Sequence, residues 1–208
     1  MNIIVHHLEN SRSQRVLWLL EELRLPYRVV RYSRDPISGL APDAARDIHP
    51  LGKLPVIQDG NLTIAESVPI FEHILNQSDV KIGRPTDLEN SRRYQHFVHY
   101  AEGSLMPPLF ALLVLRRMGE AGQSAAADLR RSFAGHLAWM DAELTERPWF
   151  AGESFTAVDI MMSFPLEAAR QRGGLDGTYP NLNEFLGRIH SRPACRAAIE
   201  AGGPYALA

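Results

Sequence analysis

Apolar positions fall at two different spacings over the first 77 residues and at one spacing afterwards. Ile3-Ile4-Val5 and Val29-Val30, with Tyr27 and Tyr32, have the β-branched and aromatic content of short strands. Between them Val16, Leu17, Leu19, Leu20 and Leu23 recur at helical spacing. Val56-Ile57 and Leu62-Thr63-Ile64 flank Asp59-Gly60-Asn61. Gly and Asn tolerate positive φ, so this segment predicts a tight hairpin. Val68, Ile70, Phe71, Ile74 and Leu75 return to helical spacing. The predicted order is β-α-β, a loop with room for one short helix, then β-β-α. A βαβ unit followed by a hairpin and a helix makes a small mixed sheet with helices packed on it.

Residues 78–86 are polar and contain Gly83 and Pro85, and they precede a purely helical pattern. The expected division is therefore a first domain over 1–77, a linker over 78–86 and an all-helical domain over 87–208. Helices are predicted near 87–118, 123–146, 156–172, 180–190 and 193–201. Pro107-Pro108 should kink the first of these unless it ends there, because proline cannot continue the hydrogen-bond ladder. Thr156-x-x-Asp159 has capping-box spacing, with Phe155 and Ile160 at the flanking staple positions. Asp159 is read as a folding signal rather than a catalytic acid.

Composition narrows the class. With 45% hydrophobic and 22% charged residues, the chain is an ordinary globular one, which sets aside disorder and collagen. Lys+Arg against Asp+Glu runs 8 to 9 over residues 1–78 and 14 to 15 over 79–208. No basic half marks a nucleic-acid partner. No uncharged apolar stretch reaches the length of a membrane span, and residues 1–8 lack the features of a signal peptide. A single cysteine, Cys195, makes no internal disulfide. These features predict a soluble, cytoplasmic protein with no membrane or nucleic-acid partner.

Three segments of the first domain carry candidate chemistry. Asn10-Ser11-Arg12-Ser13-Gln14-Arg15 lies where a strand passes into a helix. A serine there serves as an N-cap, or its hydroxyl and the free amides meet a bound anion. In Pro50-Leu51-Gly52-Lys53-Leu54-Pro55, the Leu54-Pro55 bond opens a strand and is a place for a cis peptide. A cis bond there would turn the Leu54 backbone outward as an open ladder partner. Ala65-Glu66-Ser67 puts a carboxylate and a hydroxyl at a second helix start.

Taken together with the helical domain, these segments resemble the cytosolic glutathione S-transferases. The resemblance spans the chain and rests on Ser11-x-x-x-Arg15, His49-Pro50-Leu51-Gly52-Lys53-Leu54-Pro55, Glu66-Ser67 and Thr156-Ala157-Val158-Asp159-Ile160. The run from Tyr100 to Leu109 is similar to the branch found in many bacterial and fungal members. The implied fold is α/β plus all-α, a thioredoxin-like N-terminal domain and a C-terminal helical bundle. The resemblance implies that Ser11 activates the glutathione thiol, with Ser13 as its competitor. It implies that the Leu54 backbone, ahead of Pro55, pairs with the cysteinyl part, and that Glu66 and Ser67 hold the γ-glutamyl end. Lys53 would face the glycyl carboxylate. His49 departs from the Asn common at its position, and Arg15 is read as structural.

Glutathione is thus the implied co-substrate, with no metal. A thiol of pKa near 8.5 is mostly protonated at neutral pH, and a hydroxyl donating to sulfur favours the nucleophilic thiolate. The second substrate would be a small, largely apolar electrophile. Its candidate contacts are Tyr100, Met106, Phe110 and Leu113, a stripe that would serve equally as core. Alternatives are a glutathione-dependent peroxidase and a non-catalytic binding module that grips another protein. A homodimer is expected from the resemblance. Phe97, Ala101 and Leu105 offer one stripe for it, or else belong to the core, and Glu102 is placed near a partner's site.

Overall fold

The computed structural model describes residues 2–207. Four strands, β1 (Ile3–Leu8), β2 (Tyr27–Tyr32), β3 (Val56–Asp59) and β4 (Leu62–Ala65), form one sheet in the order β2-β1-β3-β4. β1 and β2 run parallel, in register from Ile3↔Tyr27 to Leu8↔Tyr32. The parallel pair needs a crossover, and α1 (Gln14–Leu23) supplies it. β3 is antiparallel to both β1 and β4. Asp59 pairs with Leu62 around Gly60, whose φ of 59° is the conformation that the hairpin turn requires. A short 3-10 turn at Asp43–Arg46 fills the predicted loop, and α2 (Ser67–Leu75) closes the βαβ-α-ββα order.

β1 runs three residues beyond the Ile3-Ile4-Val5 signal, to Leu8, and carries His6 and His7 into the interior, at 3% and 2% exposure. Histidine is a poor apolar marker, so hydropathy alone ends the strand early. Ile3, Val5 and His7 alternate onto one face.

The remaining helices are α3 (Leu88–Tyr100), α4 (Met106–Arg117), α5 (Gln123–Glu146), α6 (Ala157–Ala168), α7 (Pro180–Ser191) and α8 (Pro193–Gly202). The expected single helix over 87–118 is in fact α3 and α4 joined by a π turn at Ala101–Leu105. Pro107 and Pro108 have no N–H, so the carbonyls of Gly103 and Ser104 lose their ordinary donors. The π turn, with Met106 N–H on the Ala101 carbonyl, absorbs the mismatch just ahead of them. Leu88–Arg117 is long and apolar enough by composition to cross a membrane. Its apolar positions Phe97, Val98, Ala101, Leu105, Met106, Leu109 and Leu112 are nevertheless buried in the fold. Phe97, Ala101 and Leu105 are therefore internal core, and the alternative that they form a dimer stripe is set aside.

The capping box at Thr156 and Asp159 forms at the start of α6, all of whose residues are buried. Asp159 is fully buried and accepts from Thr156 N–H at 2.8 Å and Phe150 N–H at 2.9 Å. Burial pushes its carboxyl up to about 7 against these donors. Phe155 meets the Trp149 ring edge-on.

The chain forms two compact units, and their boundaries differ from the expected ones. One runs through Lys81 and takes back His190–Ala206, while the other spans Ile82–Ile189. The expected helical domain of 87–208 thus loses its last helix to the sheet-containing unit. The reason is α1, whose Gln14–Leu20 and Leu23 are all buried. A helix apolar on so many sides needs cover beyond β1 and α2, and α8 provides it. Arg192 fastens α8 to Glu22 of α1, with N···O distances of 2.6 and 2.8 Å.

Candidate functional site

All three candidate segments fall in the sheet-containing unit. Ser11 follows β1 through Glu9 and Asn10, the latter at φ 49°, a conformation asparagine adopts more readily than most residues. Arg34 holds this loop by donating to the carbonyls of Glu9 at 3.2 Å and Asn10 at 2.9 Å. Ser11 is 6% exposed and Ser13 fully buried. Ser11 Oγ donates to the Leu8 carbonyl at 2.8 Å, lies 2.7 Å from Ser13 Oγ and accepts from Ser13 N–H at 3.2 Å.

For Ser13 the N-cap alternative does not hold, whereas Ser11 Oγ does accept an N–H two residues on, as a cap does. Ser13 occupies the cap position of α1, yet its side chain makes no cap bond. It turns back to the strand end instead, accepting from Leu8 N–H at 3.0 Å and meeting His7 Nδ1 at 2.9 Å. The end of β1 outcompetes the helix because Leu8 offers a donor and an acceptor together, the Leu8 carbonyl lying 3.1 Å from Ser13 Oγ. Burial, reinforced by the positive charge of Arg31, lowers the His7 imidazole to about 4, so it is neutral at physiological pH.

The Leu54-Pro55 bond is cis, as its position at a strand entry suggested. Pro55 is buried, Leu54 is half-buried and Lys53 is exposed. Leu54 stands just ahead of the first β1–β3 pair, His6↔Val56. Gly52 turns the chain at φ 58°, with its N–H on the His49 carbonyl at 2.8 Å. A side chain there would be strained and would begin 3.0 Å from Arg46 Cγ. His49 Nδ1 accepts from Leu51 N–H at 3.4 Å, within the same turn.

Glu66 sits at the start of α2 with φ 70° and ψ 135°, and its side chain is exposed. A non-glycine residue held there stores strain of order 1–3 kcal/mol, a feature that concentrates at ligand sites. Ser67 is buried and accepts from Arg15 Nη2 at 3.0 Å. Arg15 is only 1% exposed. It ties the first turn of α1 to the first turn of α2, and so fastens the Ser11 segment to the Glu66-Ser67 segment. Sequence reading marked Arg15 as structural and did not single out His7. The alternation Ile3, Val5, His7 is the signal that would have found the latter.

The four candidate electrophile contacts lie in the helical unit and do not share one surface. Tyr100 belongs to an aromatic cluster, its hydroxyl 2.5 Å from His136 Nδ1 and its ring close to His96 and Trp139. Burial raises that hydroxyl to about 12. Met106 is core, at 3% exposure. Phe110 is 57% exposed and Leu113 is half-buried. The π turn at Ala101–Leu105 shifts the helical phase of Tyr100 relative to the three α4 positions. An open groove of about 940 Å³ along Arg24, Tyr27, Val29 and Arg31 contains none of the candidate residues.

Comparison with known proteins identifies the two domains and the fold. The glutathione S-transferase N-terminal domain family matches residues 11–77, and the corresponding C-terminal domain family matches residues 123–188. The chain is 34% identical to glutathione S-transferase 3 of Schizosaccharomyces pombe, over 95% of this chain and 87% of that protein. It is also similar to a solved glutathione S-transferase of Actinobacillus pleuropneumoniae, at 30% identity and a TM-score of 0.85, covering 99% of this chain and 95% of that one. A glutathione S-transferase from Methylobacillus flagellatus, solved with glutathione bound, shares the fold. Its TM-score is 0.79 at 22% identity, covering 94% of this chain and 98% of that one. With both domains matched and full-length relatives at this identity, the chain belongs to the glutathione S-transferase family and is a glutathione transferase.

Proposed function

We propose that Ser11 activates the thiol of glutathione, its hydroxyl donating to sulfur and stabilising the thiolate. The thiolate attacks an electrophilic carbon, forming the C–S bond while the electron pair leaves with the displaced group or is protonated on the product. The observation that carries this reading is the Arg15–Ser67 hydrogen bond, which fastens the Ser11 loop to the Glu66-Ser67 helix start. In this reading Glu66 and Ser67 hold the γ-glutamyl end, the Leu54 backbone beside cis Pro55 pairs with the cysteinyl part, and Lys53 attracts the glycyl carboxylate. Phe110 and Leu113 supply apolar contacts for the second substrate, while Tyr100 and Met106 support them from the cluster and the core. The proposed setting is cytoplasmic, in detoxification, and the proposed assembly is a homodimer.

The test is the thiolate absorbance of the enzyme–glutathione complex against pH. Losing a hydrogen bond to a charged acceptor costs about 1.5–3 kcal/mol, or roughly one to two pKa units. Ser11→Ala should raise the bound thiol by that amount and keep most glutathione affinity. Turnover at neutral pH should fall about tenfold to a hundredfold and partly recover in alkali, where solvent removes the proton unaided. An unchanged titration removes Ser11 from the mechanism. A panel of electrophiles and hydroperoxides then separates transferase from peroxidase use of the same thiolate.

A further inference from the structure

Arg34 joins the Ser11 segment to a second loop. Each nitrogen of its guanidinium donates to a different main-chain carbonyl: Nε to Glu9 at 3.2 Å, Nη2 to Asn10 at 2.9 Å and Nη1 to Gly39 at 2.8 Å. The Arg34 N–H donates to the Glu9 carboxylate at 2.7 Å. Glu9 N–H donates to the Tyr32 carbonyl at 3.1 Å, which carries the β1–β2 pairing one residue past Leu8.

The second loop is fixed by its own bonds. Asp35 Oδ1 accepts from Ile37 N–H at 3.2 Å, from Ser38 N–H at 2.7 Å and from the Ser38 hydroxyl at 2.8 Å. Asp35 N–H donates to the Leu40 carbonyl at 2.9 Å, and Gly39 N–H to the Asp35 carbonyl at 2.8 Å. The Gly39 carbonyl is therefore a firm anchor for the guanidinium.

Successive carbonyls of an extended strand point in opposite directions, because adjacent peptide planes alternate. One planar guanidinium meets the carbonyls of both Glu9 and Asn10 only where the chain turns between them. Asn10 makes that turn at φ 49°, in the left-handed region that asparagine tolerates. Ser11 follows directly, its hydroxyl donating back to the Leu8 carbonyl at 2.8 Å. The direction in which the chain delivers Ser11 is thus set by the same Asn10 torsions that the three-carbonyl fork requires.

We infer that Arg34 is a positioning residue for thiol activation: its guanidinium locks the Glu9–Asn10 turn against the 35–40 loop and so places the Ser11 hydroxyl for the glutathione sulfur. The device depends on shape as well as charge. A lysine keeps the charge, but its single ammonium cannot span three separate carbonyls as the fork does.

The inference rests on the Ser11 reading above, and the experiment separates the two. Thiolate absorbance of the glutathione complex against pH and steady-state kinetics are measured on the full-length wild type, Arg34→Lys, Ser11→Ala and the double variant, each checked for folding by circular dichroism. Arg34→Lys should raise the bound thiol by about half a pKa unit or more and lower kcat at neutral pH by about threefold or more. The KM for glutathione should stay within about twofold, since the ends of the tripeptide are held elsewhere. In the Ser11→Ala background the same substitution should add less than about 0.2 unit, because a residue acting through Ser11 has nothing left to place. If Arg34→Lys does not fold, Asn10→Ala disfavours the same turn from the other side and should shift the thiol in the same direction. A thiol shift by Ser11→Ala with none by Arg34→Lys, or by Asn10→Ala in its stead, overturns the inference and leaves the Ser11 reading standing. Additive shifts in the double variant also overturn it, since Arg34 would then act on the thiol by itself. If Ser11→Ala leaves the titration unchanged, the Ser11 reading fails and the inference falls with it.

Discussion

Arg15 and Ser67 show how a single contact joins the starts of two helices. The Arg15 guanidinium is taken out of water at the start of α1 and finds the Ser67 hydroxyl 3.0 Å away at the start of α2. Ser67→Ala removes an acceptor from a buried charge, so it should destabilise the protein by about 1–3 kcal/mol and raise the KM for glutathione. Urea unfolding together with steady-state kinetics checks both, and loss of neither would detach Ser67 from the site. Lys53 is the opposite case: it is exposed, so Lys53→Met should change stability by less than about 0.5 kcal/mol. Its expected effect is a higher KM for glutathione with kcat retained, because a contact to a distant carboxylate holds ground state and transition state alike. At this scale the Ser11 segment was legible as a candidate from its place between a strand and a helix. His7 was not legible, because what a histidine does depends on which groups surround its two nitrogens.

At the scale of elements, Asp159 and Gly202 carry the sharpest expectations. Asp159→Ala leaves the buried N–H groups of Phe150 and Thr156 without their acceptor. The cost should be about 2–5 kcal/mol, above the ~1 kcal/mol of an ordinary cap, with turnover of the folded fraction retained. The pH dependence has a definite sign. The folded carboxyl titrates near 7 against 3.8 as its ordinary value, so between those pH values the folded state holds the proton more tightly. Its contribution to stability is complete below about pH 4 and is lost as pH rises through about 7. The stability difference between wild type and Asp159→Asn should therefore shift against wild type from pH 5 to pH 8, which denaturant titrations at both pH values would measure. Gly202→Ala would begin a side chain 2.6 Å from Gln14 Oε1 and 3.1 Å from Leu17 Cδ1. Overpacking of this kind should cost about 1–3 kcal/mol, read as a lowered melting temperature. Helix ends were legible to within a residue or two at α5, α7 and α8, where Gly, Pro and caps punctuate the chain. The π turn at Ala101–Leu105 was not, because the prolines announce an interruption without saying how the backbone will absorb it.

For the whole molecule, the return of the C-terminal segment to the first unit makes truncation informative. Deleting residues 193–208 uncovers the α8 side of α1 and removes the Arg192–Glu22 pair's setting. We expect the shortened chain to be recovered unfolded or aggregated, and a stable, glutathione-binding product would show that α8 is dispensable. The homodimer is tested by sedimentation at micromolar concentration. The expected species has twice the 23.3 kDa chain mass, and a monomer at that concentration would overturn the proposal.

The sequence by itself determined the order of elements, the hairpin at Asp59–Leu62, the cis-proline position, the cap of α6 and the serine and Glu-Ser segments. Each of these is written in local spacing or in residues with restricted backbone preferences, so a short window suffices to read it. Tertiary structure alone decided which side of α1 needed α8, and hence where the first unit ends. It also decided that Phe97, Ala101 and Leu105 are core, and that Ser13 turns to His7 rather than to its helix. These outcomes depend on competition among groups far apart in the chain for the same buried surface and the same hydrogens. Composition and periodicity carry no record of who wins that competition.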